Sequence, residues 1–364
     1  MSRKLSFDSW LFAIAMIIVV LGMVMIYSAS AMIATQRFGH SSSYFLIRQG
    51  VFLAAGAVMM LFLMHVNPAV LQDRRIQYGA LALVGMGLIV ALFQAPINGT
   101  HRWIDLPFFN LQPSEFAKPA IILFLASYLA RREDRINDLT GTLLPVGFIL
   151  ALFAGLILLG RDFGTAATLL LVACAMIFAA GLSWNYIAGV SMALIPAVLY
   201  FAGSAAYRRE RLLTFLNPEA DPLGKGFQPM QSLIALGTGG LNGLGIGNGR
   251  QKLFFLPEPH TDFIFSIIGE ELGFLGAVLL LAAFAVLAWR GYRIARLSQN
   301  RFAFYAALGC TVMIVIQALI NISVTLCLLP TKGIPLPLVS YGGSSLLASL
   351  MVVGLLLNFS QQSG

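Results

Sequence analysis

The chain has 364 residues, of which 59% are hydrophobic and 10% charged, with a formal net charge of +8 and a mean hydropathy of +0.85. A soluble domain carries roughly 25% charged residues, so this composition excludes a water-facing globule, and it is too apolar for a disordered chain. It suits a bilayer, as one bundle of many helices.

A transmembrane helix needs about 20 mostly apolar residues. Ten segments qualify: 9–29, 47–66, 76–95, 113–130, 142–160, 165–182, 186–205, 262–289, 302–329 and 340–359. Ala29-Ser30-Ala31 imitates a signal-peptidase site behind Arg3 and Lys4. The apolar run before it is too long for a signal peptide, and nine more spans follow, so the first segment reads as a retained helix. With the N-terminus inside, the inner segments hold eleven Lys and Arg, among them Arg3, Lys4, Arg74, Arg75, Arg131 and Arg290. The short outer loops and helix ends hold five: Arg37, Arg48, Arg102, Arg161 and Lys332. The positive-inside rule then places both termini in the cytoplasm. That bias accounts for most of the net charge, with no need for nucleic acid or an acidic partner.

Two outer loops stand out. Residues 206–261 are far too many for a simple turn, and they mix Phe215, Leu216, Phe227, Leu253, Phe254 and Phe255 with glycines and both charge signs. They read as a folded cap against the membrane. The loop 96–112 carries Arg102, Trp103 and Asp105. Segment eight, starting at Asp262, makes a helix of about 40 Å at 1.5 Å per residue, against a hydrocarbon core of roughly 30 Å. Its first turns should stand at headgroup depth on the outer face, where chemistry on polar substrates belongs.

Other chemistries have little support. Cys174, Cys310 and Cys327 lie in apolar runs without a CxxC, and the four histidines have no metal-ligand spacing, so neither a disulfide framework nor a structural zinc is expected. The glycine run 237–249 holds GxGxG but no GxGxxG and follows no predicted strand, which makes nucleotide binding a poor reading.

Four sets of residues remain as candidates. In Leu256-Pro257-Glu258-Pro259-His260-Thr261-Asp262-Phe263-Ile264-Phe265, Thr261 or Asp262 can cap helix eight; the same aspartate, tuned by burial and nearby cations, can act as a base. Glu270 and Glu271 are costly inside an apolar span. They read either as a substrate or proton path or, slightly ahead, as acceptors for arginine or for backbone groups beside Gly269 and Gly273. Glu115 and Lys118 share a helix face three residues apart, as a local ion pair would. The run 335–345, with Pro335, Pro337, Ser340, Gly342, Gly343, Ser344 and Ser345, is either a turn with a tight helix contact or free backbone lining a cavity.

These motifs, with Asn98-Gly99-Thr100-His101-Arg102-Trp103-Ile104-Asp105, Gln112-Pro113-Ser114-Glu115-Phe116-Ala117-Lys118 and Arg209-Glu210-Arg211 through Asn217-Pro218 to Gln231-Ser232, resemble the SEDS family (shape, elongation, division and sporulation) of bacterial peptidoglycan glycosyltransferases. Order and spacing match over nearly the whole chain. The resemblance implies an all-α polytopic membrane protein in one domain, residues 1–364, with about ten transmembrane helices and a large extracytoplasmic loop, about 206–261, between the seventh and eighth. Leu329-Pro330-Thr331-Lys332-Gly333 and Ile267-Ile268-Gly269-Glu270-Glu271 look like the division-type branch, and Ile334-Pro335 looks closer to the elongation-type branch. The balance lies with division. Pro259 and the short cytoplasmic ends depart from the usual pattern.

The resemblance implies polymerisation of lipid II, a disaccharide-pentapeptide on undecaprenyl diphosphate, into β-1,4 glycan with inversion. Such a displacement needs a base on the attacking hydroxyl and charge stabilisation on the departing diphosphate. Asp262 matches the family's essential aspartate and is the candidate base. Arg102, Lys118, Arg209, Arg211 and Lys332 are candidate cations for diphosphate, of which Lys118, with Glu115, carries a family motif role; Trp103 and Ser344 complete the candidate substrate-binding residues. A divalent cation, Mg2+ or Mn2+, is compatible with the task, although no ligand cluster demands one. A class B penicillin-binding protein is the implied partner for crosslinking, together with other division or elongation proteins, at the bacterial inner membrane and the division septum. The rival readings are a lipid II transporter or flippase and a non-catalytic scaffold.

Overall fold

The computed structural model describes residues 7–97, 99–107, 109–186, 188, 189, 192, 224, 226–253, 255–330 and 333–362. Its helices, in chain order, are α1 (Ser9–Gln36), α2 (Tyr44–His65), the short α3 (Pro68–Gln72), α4 (Arg74–Phe93), α5 (Pro113–Arg131), α6 (Leu144–Leu159), α7 (Phe163–Ala179), α8 (Phe227–Thr238), α9 (Ile264–Leu297), α10 (Arg301–Thr325) and α11 (Gly343–Ser360). A two-stranded ribbon, β1 (Ile104–Asp105) and β2 (Asn110–Leu111), pairs Ile104 with Leu111. The chain is thus an all-α polytopic bundle. Seven helices among the described residues are long and apolar enough to cross a membrane, α6 being counted with the π-helical turn Leu139–Leu143 that leads into it, and α7 is a shorter apolar one. Segment 186–205 falls mostly outside the described residues, as do 206–223.

Capping follows the local sequence. Asp8, Asn67, Asp73, Asp162 and Asn300 each accept a backbone N–H at the start of a helix, satisfying donors the helix cannot use itself. At the far end of α9 from Asp262, Arg290 Nε donates to Asp8 Oδ2 at 2.9 Å and so ties α1 to α9. Small residues let α2 and α11 approach: a Cβ on Gly354 would lie 2.6 Å from the Met60 carbonyl oxygen, and one on Gly56 2.5 Å from Leu350 Cδ1. Asn358 then donates to the carbonyls of Leu63 and Val66, which the end of α2 leaves unbonded.

Helix α9 corrects one expectation. It begins at Ile264 rather than Asp262, its N-cap residue is Phe263 with no side-chain cap bond, and it breaks at Gly273 (φ 70°, ψ −170°). The break is filled by the segment after α8. Leu244 N–H donates to the Glu270 carbonyl at 3.0 Å and Gly245 N–H to that of Glu271 at 2.9 Å, while Phe274 N–H donates to the Gly240 carbonyl at 2.9 Å. A broken helix at membrane depth is tolerated where a neighbouring segment satisfies its backbone. The glycine run makes that approach possible, since a Cβ on Gly243 would lie 2.2 Å from the Glu271 carbonyl oxygen.

Glu270 and Glu271 serve the same docking. Glu270 accepts from Arg250 N–H at 2.7 Å and Gln251 N–H at 3.2 Å. Glu271 accepts from Lys252 Nζ at 2.6 Å, Gly247 N–H at 3.0 Å and Ser28 Oγ at 2.7 Å. Both carboxylates act as structural acceptors, and the cation is a lysine from the docked segment in place of the expected arginine.

Candidate functional site

Three stretches meet at the head of α9. Ser340 Oγ donates to the Thr261 carbonyl at 2.6 Å and accepts from Leu336 N–H at 2.8 Å. Tyr341 N–H donates to the His260 carbonyl at 2.9 Å. Asn321 Nδ2, from α10, donates to the carbonyls of Asp262 at 2.8 Å and Ile334 at 2.7 Å. The backbone of Asp262 is therefore held from two sides, while no described residue bonds its carboxylate.

That carboxylate stands between two cavities. The first, about 320 Å³, is walled by Thr100, Arg102, Arg161, Asp162 and Gln228; the second, about 260 Å³, by Arg48, Trp103, Phe109, Glu258, Tyr341 and Ser345. Asp262, Arg102 and Gly333 line both. A Cβ on Gly333 would lie 3.2 Å from Asp262 Oδ2 and 3.8 Å from Arg102 Nη1, so glycine there keeps the passage between them open. Burial pushes the Asp262 carboxyl up to about 6, against the pull of the Arg102 charge and with a further push from Glu258. That value keeps it ionised at neutral pH and gives it an appreciable affinity for a proton, which suits a general base. His260 is buried, with its ring 4.6 Å from Phe45 and 5.4 Å from Tyr341, and burial lowers it to about 4. It is neutral at pH 7 and adds no charge beside Asp262.

The FtsW/RodA/SpoVE cell cycle protein family matches residues 8–364. The chain belongs to that family. It is 43% identical over 98% of its length, and 94% of the relative's, to a probable peptidoglycan glycosyltransferase FtsW of Trichlorobacter lovleyi. Among solved structures it resembles a chain of a peptidoglycan synthase complex that coordinates polymerization and crosslinking, with TM-score 0.81, 30% identity and 98% of both chains covered. The rod shape determining protein RodA of Thermus thermophilus gives TM-score 0.72 and 27% identity, with 99% of this chain and 98% of that one covered.

Against this family background, the residues singled out from sequence divide by place. Arg102 lines both cavities and Trp103 the second, with the Arg102 guanidinium carbon 5.6 Å from the Trp103 ring centroid. Glu115 and Lys118 line neither of these two cavities. Lys118 Nζ donates to Glu115 Oε2 at 2.9 Å and to Gln317 Oε1 at 2.8 Å, and Gln317 Nε2 donates to the Pro335 carbonyl at 3.0 Å. The pair thus reaches the second cavity through Gln317 and the 335–345 run, and through Gln112, whose carbonyl accepts from Glu115 N–H at 3.2 Å. Ser344 likewise lines neither cavity, because its Oγ accepts from Gln112 N–H at 3.0 Å; its neighbour Ser345 lines the second. Arg209, Arg211 and Lys332 lie outside the described residues.

Three residues at the site escaped the sequence reading. Asp162 caps α7 through Thr165 N–H at 3.2 Å and accepts from Gln112 Nε2 at 2.8 Å and Ser114 Oγ at 3.0 Å, with Arg102 at 3.8 Å. Gln317 and Asn321 join the lysine pair, the 335–345 run and Asp262. The signal for them was two polar side chains four residues apart on one face of an otherwise apolar span. Among the described residues no three His, Cys, Asp or Glu side chains gather as metal ligands.

Proposed function

We propose that this chain is an inverting peptidoglycan glycosyltransferase of the division type, which polymerises lipid II into β-1,4 glycan strands. The observation that carries the reading is the Asp262 carboxylate, free of any capping role and standing where two cavities meet beside Arg102. One cavity receives the glycosyl donor and the other the acceptor. The acceptor's 4-hydroxyl oxygen forms a bond to the anomeric carbon of the donor, and its proton passes to the Asp262 carboxylate. The bond from the anomeric carbon to the diphosphate oxygen breaks, and its electron pair leaves on the diphosphate beside the Arg102 charge. Attack and departure on opposite faces of that carbon invert it.

The chain's likeness to a chain of a synthase complex supports a class B penicillin-binding protein as partner. Other division proteins, the inner membrane with both termini cytoplasmic, and the septum complete the reading. The test is conversion of lipid II to glycan by the purified chain with its transpeptidase in detergent, where no transbilayer transport contributes. Asp262→Asn retains size and hydrogen bonding but cannot take the proton, so it should lose about 10²–10⁴-fold in rate. Polymer formation at the normal rate by Asp262→Asn would remove the base from this residue and turn attention to Glu258, which lines the second cavity.

A further inference from the structure

Helix α6 ends in a Schellman turn: Arg161 N–H donates to the Leu158 carbonyl at 2.9 Å and Asp162 N–H to that of Ile157 at 3.2 Å. The residue after the C-cap in this motif takes a left-handed backbone, which glycine usually supplies. Here Gly160 is the C-cap, and the left-handed residue is Arg161, with φ 63°. A long side chain in that backbone region is strained, and such strain gathers at functional sites. The Arg161 side chain lines the first cavity. Its Nη1 donates to the Gly99 carbonyl at 3.3 Å, which leaves further guanidinium donors for a ligand. Across the same cavity, Arg102 Nε is buried without a hydrogen-bond partner among the described residues.

We propose that Arg161 and Arg102 form a clamp on the diphosphate of the departing lipid, so that the first cavity is the leaving-group subsite. This rests on the glycosyltransferase reading above. The leaving diphosphate is bonded to the very carbon under attack and must lie next to Asp262, whereas the acceptor's own diphosphate is a whole disaccharide away from its reacting hydroxyl. Guanidinium groups match phosphate oxygens in pairs. The second cavity, walled by Phe52, Trp103, Phe109 and Tyr341 beside Arg48 and Arg102, adds ring surfaces suited to the acceptor sugars. Of the two carboxylates of the first cavity, Asp162 keeps its charge, held by Gln112, Ser114 and Thr165 beside Arg102 at 3.8 Å, whereas Asp262 becomes neutral as it takes the acceptor's proton. The cavity therefore gains positive charge just as the diphosphate accepts the electron pair.

The strain separates this role from a structural one. Arg161→Gly should melt at or above the wild-type temperature, because glycine fits the left-handed site. The same variant should bind undecaprenyl diphosphate, measured directly on the purified full chain in detergent, about tenfold or more weakly than wild type. Binding of undecaprenol, which has no phosphate, should be unchanged, and Arg161→Lys should fall between wild type and glycine. Wild-type affinity of Arg161→Gly for undecaprenyl diphosphate would overturn the proposal. So would an equal loss of undecaprenol binding, or a lowered melting temperature, since either would make the arginine structural. Binding is read here without turnover, so a wild-type chain that makes no polymer refutes the glycosyltransferase reading separately.

Discussion

Lys118 and Glu115 are each only 2% exposed, and their ion pair spans one turn of α5 at 2.9 Å. Lys118→Met keeps the length of the side chain and removes its charge. It leaves the Glu115 carboxylate buried without its cation, a loss of about 3–5 kcal/mol for a buried pair broken on one side. Gln317 Oε1 loses its donor at 2.8 Å as well, which adds about 1 kcal/mol. Protonation of Glu115 relieves part of this, so the sum is an upper figure. Replacing both partners, Glu115→Gln with Lys118→Met, removes the stranded charge and should recover most of the loss, so the two changes should be far from additive. The damage should also reach the chemistry, because Gln317 holds the Pro335 carbonyl at 3.0 Å and Pro335 lines the second cavity. The assay is unfolding free energy from denaturant titration in detergent for the two single variants and the double, with lipid II polymerisation measured on the same samples. A single-variant cost below about 1 kcal/mol, or additive costs, would refute the buried coupling and reduce the pair to an ordinary i,i+3 contact worth tenths of a kcal/mol.

Two further outcomes follow from the site and from the helix break. Asp262 must be ionised to accept a proton, and its carboxyl is raised to about 6 by burial; polymerisation should therefore fall as pH drops through about 6, roughly tenfold per unit below it. Glu258→Gln removes a neighbouring negative charge that raises Asp262 and should move this limb to lower pH, whereas a flat rate from pH 7 to 5 would contradict the assignment. Gly243→Ala places a Cβ 2.2 Å from the Glu271 carbonyl oxygen at a residue with φ 78°. It should cost at least about 1–2 kcal/mol from the backbone alone and loosen residues 239–253, seen as faster proteolysis in that segment; unchanged protection would show that the docking at the break is not needed.

Much of the architecture was legible because a bilayer imposes a simple rule on sequence. A run of some 20 apolar residues has few options besides a helix when no water can serve its backbone, and α1, α2, α4, α10 and α11 lie where hydropathy put them. The site was legible in part. Arg102 and Trp103 were marked as a charged and an aromatic residue in an outer loop, Asp262 as a carboxylate at the head of an apolar run, and all three line the second cavity. The pairings were not legible. Glu271 lay in sequence beside Glu270 and glycines, and nothing local named Lys252 and Ser28 as its partners. The break at Gly273 was hidden because hydropathy averages over a window and does not register one residue's φ.

By itself, then, the sequence determined that this is a polytopic helical membrane protein, since composition and hydrophobic run length leave no other solvent for it. It also singled out Asp262, because a carboxylate at the head of an apolar span needs a reason to be there. Only the tertiary structure decided what that carboxylate does with its neighbours. Asn321 and Ser340, far from it in sequence, hold its backbone region and release it from capping, and Arg161 turns into its cavity through a left-handed residue that no hydropathy pattern records. The physical reason is range: partition into a bilayer is a sum over neighbouring residues, whereas hydrogen-bond geometry and the electrostatics of a cavity depend on groups that meet only after the helices have packed.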